Sequence, residues 1–185
     1  MKYNPFIESG SEREGDMKNI FLAALLGAAT AADFKRGKIP NKLIIFGYLT
    51  GLMIRITEGG PAGLALGILE GLLTLAAFYI FYLTGAVGAG DVKLLSVIGL
   101  FSGIVFAVRT AFYSLLAAGV VAAIYLLKSG EAAARFQEFF SHIGICISQK
   151  KLIRYRTSGD KGNLHYALYI SIGFLVALAL GKEFR

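Results

Sequence analysis

Two carboxylates in this chain sit where chemistry is expected. Asp91 follows Gly88-Ala89-Gly90 and opens an apolar run, while Asp33 closes the first apolar run of the chain. An ionisable side chain at a membrane boundary is costly to place and marks a functional site by default. Two carboxylates sharing one site cannot both ionise comfortably, because like charges raise the pKa of one of them. Such a pair can activate a water with its ionised member and protonate a carbonyl oxygen with the other. That is aspartic peptide hydrolysis, which needs no metal, no cofactor and no nucleophilic Ser or Cys. Gly88 and Gly90 carry no Cβ and would let Asp91 approach the helix end that bears Asp33 while leaving space for an extended substrate. Each aspartate also has a simpler reading. Asp91 could serve as a helix N-cap, where the helix dipole favours its anion by about 0.3–1 kcal/mol. Asp33 could be a helix-end charge facing solvent.

The elements that must position these groups follow from the composition. The chain has 185 residues, is 56% hydrophobic and has a mean hydropathy of +0.63. Soluble domains are about 45–50% apolar, and here the charges fall in clusters separated by long uncharged runs. This predicts an all-α polytopic membrane protein with about six transmembrane helices. The spans are placed at Met17 to Phe34, Lys42 to Ile56, Ala62 to Thr84, Asp91 to about Leu100, Ile104 to Leu127 and Leu164 to Leu180. The fourth is short, which is tolerable if its ends are buried in protein or line a wet cavity. Glu58-Gly59-Gly60-Pro61 reads as a turn, and Pro40 suits the first turn of the second span. Residues 1–16 read as a flexible polar tail, and residues 17–185 as a single membrane domain. Within it, residues 128–163 form an amphipathic segment on the cytoplasmic membrane surface, with Phe136, Phe139, Phe140 and Ile143 at near-helical spacing.

The net charge of +7 matters less than its distribution. Twelve Lys and Arg fall in one set of loops: Lys35, Arg36, Lys38, Lys42, Lys93, Lys128, Arg135, Lys150, Lys151, Arg154, Arg156 and Lys161. They are fewer in the opposite set, which holds Lys2, Arg13, Lys18, Arg55, Lys182 and Arg185. The positive-inside rule then places Asp33 and Asp91 at the cytoplasmic face and both termini outside. Nucleic-acid binding is the weaker reading of these basic residues. Cys146 is the single cysteine, so neither an internal disulfide nor a zinc site of paired CxxC motifs can form. Cys146 reads as a packed small hydrophobe. His142 and His165 lack partners at ligand spacing and read as interfacial residues. Lys93, two positions after Asp91, points away from it on a helix and is expected to snorkel to headgroups. Glu70 and Arg109 lie deepest in the bilayer, at similar depths counted from the outer face, which predicts an ion pair between the third and fifth spans. The alternative is a protonated Glu70 with Arg109 snorkelling outward.

Two segments taken together are more specific than either aspartate alone. Asp33-Phe34-Lys35-Arg36-Gly37-Lys38-Ile39-Pro40-Asn41, combined with Gly88-Ala89-Gly90-Asp91-Val92-Lys93-Leu94, resembles the type IV prepilin peptidase family. In that family an aspartate precedes a basic stretch ending in Ile-Pro-Asn, and a Gly-x-Gly-Asp-x-Lys motif follows two spans later. The resemblance implies an intramembrane aspartic protease of the Gly-x-Gly-Asp type, seated in the inner (plasma) membrane. Asp33 and Asp91 would be its catalytic pair, with Gly88, Gly90, Lys93, Ile39, Pro40 and Asn41 as supporting motif residues. Its partners would be pilin-like precursors of type IV pili or secretion systems, from which it would remove the cytoplasmic leader. Larger members carry a cysteine-rich insert with paired CxxC motifs that accompanies N-methylation. This chain lacks it and is similar to the short tight-adherence pilus and archaeal preflagellin peptidases, so methyltransferase activity is not expected. Presenilin-like proteases share Gly-x-Gly-Asp, but their Pro-Ala-Leu motif is absent. Two other functions fit the residues: a small ion-coupled transporter or channel subunit using Asp33, Asp91 and Glu70, and a non-catalytic assembly protein of a secretion system.

Overall fold

The computed structural model describes residues 5–85, 87–129 and 165–181. They form five helices: α1 (Pro5–Arg36), α2 (Asn41–Leu83), α3 (Ala89–Ser102), α4 (Ile104–Ser129) and α5 (Tyr166–Gly181). Helices are what apolar sequence must form where no water can satisfy the backbone. Three stretches are long and apolar enough to cross a membrane: Met17–Arg36, Asn41–Leu83 and Ile104–Tyr125. α5 is a shorter apolar helix. α1 begins at Pro5 rather than at Met17, so helix extends into the polar stretch read as a tail. His142, Cys146 and the amphipathic segment beyond Ser129 lie outside the described residues.

α2 is too long to be one straight rod. Its 43 residues would span about 64 Å, against a bilayer core of about 30 Å. Gly60 interrupts it with φ 58° and ψ −148°, and Pro61 follows. Only glycine adopts that backbone conformation without strain, and the next proline disfavours helix at the residue before it. The chain reverses there. A Cβ on Gly63 would lie 2.5 Å from the Arg55 carbonyl oxygen, and one on Gly67 would lie 2.8 Å from the Arg55 side chain. Segments 41–59 and 61–83 therefore lie side by side as a helical hairpin, with its bend inside the turn read from Glu58 to Pro61.

The short helix α3 is the centre of the molecule. Val92 and every residue from Leu94 to Phe101 are buried, the pattern of a helix surrounded on all sides. Small residues let the α2 hairpin close on it: Gly47 meets Val97, Gly51 meets Leu100 and Phe101, and Gly71 meets Leu100. Buried polar groups close the same contact. Ser96 donates to the Gly71 carbonyl at 3.0 Å, and its hydroxyl lies 2.6 Å from that of Tyr48. On the other side α4 and α5 pack together, with the Phe106 and Phe174 rings edge to face at 5.7 Å. α5 also lies against α1: Thr30 bonds the Ser171 hydroxyl at 2.8 Å and the Ala167 carbonyl at 3.2 Å.

The outer faces of α2, α4 and α5 are apolar, with Leu49, Leu66, Leu73, Leu116 and Leu175 exposed. A bilayer covers such a surface; water would not. This is a membrane protein.

One expectation is corrected at the end of α3 remote from Asp91. Glu70 is paired with Arg55 through Arg55 Nη2, not with Arg109, whose side chain is exposed. The reversal at Gly60 brings Arg55 opposite Glu70, whereas in a straight helix they would lie about 22 Å apart. Arg55 Nε also donates to the Leu100 carbonyl at 2.7 Å. Leu100 belongs to the last turn of α3, whose carbonyls have no partner within the helix, and a cation there suits the helix dipole. The short helix thus ends on protein, as its length required.

Candidate active site

Asp33 sits in the last turn of α1. Gly37, at φ 62°, ends that helix by donating its N–H to the Asp33 carbonyl at 2.7 Å, the left-handed cap that glycine favours. The Asp33 side chain is buried, whereas Lys35, Arg36 and Lys38 around it are exposed. The basic residues therefore face outward while the carboxylate faces the bundle. Pro40 stands one position earlier than the sequence reading placed it, as the N-cap of α2, with φ −65° and ψ 131°.

Asp91 lies in the first turn of α3, for which Gly88 is the N-cap. The Gly88 backbone N–H donates to the Asp91 carboxylate, the reach-back of a capping-box acid. A Cβ on Gly88 would lie 2.8 Å from Asp91 Oδ2, so only glycine leaves the carboxylate in this position. The simple capping role is thus part of what Asp91 does, although Gly88 and not Asp91 is the cap. Asp33 lies within electrostatic reach of Asp91, so the two carboxylates share one end of the bundle.

The remaining motif residues tie the two segments together. A Cβ on Gly90 would lie 3.3 Å from Ile39 Cβ, so α3 and the start of α2 are in close contact. Lys93 Nζ donates to Asn41 Oδ1 at 3.2 Å. Lys93, expected among headgroups, thus ends on Asn41. The Gly90–Ile39 and Lys93–Asn41 contacts thereby join the start of α3 to the start of α2. Among the described residues, no three His, Cys, Asp or Glu side chains converge as metal ligands would.

A family model, the type IV leader peptidase family, matches residues 20–127, more than half of the chain. The chain belongs to this family. No curated protein and no solved structure matches it. Membership makes this leader peptidase relative a protease of the membrane, and the matched residues contain both aspartates and both motif segments.

Two residues at the site of this leader peptidase relative lie beyond the matched stretch. His165, read from sequence as interfacial and unpartnered, has its Nδ1 3.4 Å from Asp33 Oδ2. Its ring lies against Phe34, with centroids 4.4 Å apart. Tyr166, which the sequence reading did not single out, feels the charge of Asp91. Counting alternate crossings from Asp33 puts the start of the last apolar run at the same face. That was the available signal for both.

Proposed function

We propose that this protein is an intramembrane aspartic endopeptidase that removes the cytoplasmic leader from type IV pilin-like precursors, with Asp33 and Asp91 as its catalytic pair. The observation that carries the reading is the convergence of the two aspartates at one end of the bundle, linked through Gly90–Ile39 and Lys93–Asn41. Family membership supports the reaction class.

In the proposed reaction the ionised carboxylate takes a proton from a water as its oxygen attacks the scissile carbonyl carbon. The protonated carboxyl gives its proton to the carbonyl oxygen, so the tetrahedral intermediate forms without a buried oxyanion. Collapse of that intermediate breaks the C–N bond. The proton gained by the first carboxyl passes to the leaving amine, and the second carboxyl recovers its own from the hydroxyl. No net proton is consumed within the pair.

The layout we propose has six crossings: α1, the two arms of the α2 hairpin, α3, α4 and α5. The exposed Lys35, Arg36 and Lys38 beside Asp33 support a site at the cytoplasmic face of the inner membrane. The transporter alternative loses its main support, because Glu70 is paired with Arg55. Glu70 also lies beside the far end of α3, whose Leu100 is about 14 Å from Asp91 along the helix axis. Co-expression with a pilin-like precursor tests the reading, with a shortened precursor expected on a denaturing gel. A precursor of unchanged mobility across several pilin-like substrates would count against it.

Gly88→Ala isolates the role of the loop. The added methyl would meet Asp91 Oδ2 at 2.8 Å, so the carboxylate must turn away from its present position. Cleavage is expected to fall roughly 10- to 100-fold, since misplacement of about 1 Å costs a reaction that much. Thermal stability should change little, and unaltered kinetics would show that the carboxylate position is not limiting.

With Cys146 as its single cysteine, the chain has no CxxC pairs to accompany methyl transfer. Pilin processed by this protein alone should therefore carry an unmodified N-terminal amine. An added methyl group in its intact mass would contradict that.

A further inference from the structure

The matched family segment ends at residue 127, yet the aspartates have neighbours beyond it. Their placement is fixed by α5. Ser171 donates to the Leu26 carbonyl at 3.4 Å, and Thr30 bonds the Ala167 carbonyl and the Ser171 hydroxyl. α5 therefore runs antiparallel to α1, and the next rung toward the site sets His165 opposite Asp33.

At that rung the imidazole is held between two groups. Nδ1 lies 3.4 Å from Asp33 Oδ2, with side-chain exposures of 26% for His165 and 12% for Asp33. The Phe34 ring covers the imidazole at a tilt of 38°. Asp33 from α1 is the charged group against His165. Tyr166, the next residue, lies within the field of Asp91 from α3, and Lys35 and Arg36 of α1 are turned to the exposed surface.

We propose that His165 is a positioning residue for this peptidase: it engages Asp33 Oδ2 and so fixes the rotation of that carboxyl, leaving Oδ1 for water and the partner aspartate. The inference rests on the aspartic peptidase reading above. A carboxyl free to rotate about its Cβ–Cγ bond would present either oxygen, and much of a reaction's rate comes from holding the reacting atoms in one attack geometry. In this role His165 acts on the Asp33 carboxyl and not on the reacting atoms. Its effect passes through Asp33 and belongs in kcat, because the substrate contacts are left in place.

The test uses the full chain in detergent with a purified pilin-like precursor. His165→Ala should lower kcat roughly 10- to 100-fold and move KM by no more than about twofold. His165→Gln, whose side-chain amide can still donate toward Oδ2, should keep most of the wild-type kcat. Free imidazole added to His165→Ala should restore part of the lost rate, since the removed ring leaves a hole of its own shape beside Phe34. Thermal unfolding of each variant shows how much native protein is present, and rates are referred to that amount. Wild-type kcat in His165→Ala overturns the proposal. So does a loss that neither the Gln variant nor imidazole relieves, since that is the signature of a merely structural residue. Wild-type protein that cleaves no pilin-like precursor would instead strike the parent reading, and this inference would fall with it.

Discussion

Asp33→Asn and Asp91→Asn are each expected to abolish precursor cleavage while leaving the protein folded in the membrane. An amide is close in shape to a carboxyl, so the packing around both positions should survive. Asp33 sits in an α1 turn whose Gly37 cap uses the backbone carbonyl and not the side chain, and Asn at 91 can still accept the Gly88 N–H through its amide oxygen. What the amide cannot do is take a proton from water or exchange one with its partner. General acid–base catalysis contributes about 10²–10⁴-fold for one group, and the two carboxyls act as a unit, so removing either should cost nearly as much as removing both. Residual activity in either variant is expected below about one thousandth of wild type. An unchanged rate in one variant would remove that residue from the catalytic assignment while leaving the fold intact.

The second large effect is on stability, at the opposite end of α3. Arg55 joins three elements: it pairs with Glu70 across the α2 hairpin and donates to the Leu100 carbonyl in the last turn of α3. The side chains are 18% and 30% exposed, so the charges are partly but not wholly withdrawn from their surroundings. Removing one member of a fully buried pair costs about 3–5 kcal/mol, mostly because the other charge is stranded. Allowing for the exposure of Glu70, Arg55→Met should destabilise by about 2–3 kcal/mol. Combining it with Glu70→Leu should recover part of that loss, since no stranded carboxylate remains. Recovery will be incomplete, because Leu100 still loses its donor. Simple additivity of the two single effects in thermal unfolding would mean that the pair contributes no coupling.

How much of this was legible in the sequence varied with distance along the chain. The turn at Gly60 was, because glycine followed by proline between apolar runs leaves the backbone little choice. The central place of the Gly88–Leu94 segment was legible too, because a carboxylate beside apolar runs is rarely there without cause. Arg55 was misread. Standing just before a turn, it looked like a topology-setting loop charge, and Arg109 was matched to Glu70 by depth alone. Depth fixes only one coordinate of a pair; the direction in which each helix face points decides the other two, and the hairpin turned Arg55 inward while leaving Arg109 outside. Lys93 and Asn41 could not be paired for a similar reason, since their contact depends on how α3 lies across the start of α2. His165 was hidden by sequence separation, because its partner Asp33 sits at the far end of the fold's chain order. The small residues along α2, such as Gly47, Gly51 and Gly71, could be seen but not interpreted, because their partner helix was not known.

The central claim is that two aspartates on different helices cut a leader from a pilin-like precursor. Its most direct test is the intact mass of a purified precursor after incubation in detergent with purified wild-type protein, and with Asp33→Asn and Asp91→Asn in parallel. The account predicts two fragments from wild type whose masses sum to precursor plus one water, from a single cut at the leader junction, and intact precursor alone from both variants. Fragments from wild type and both variants in equal yield would show that the bond is broken by something other than this pair.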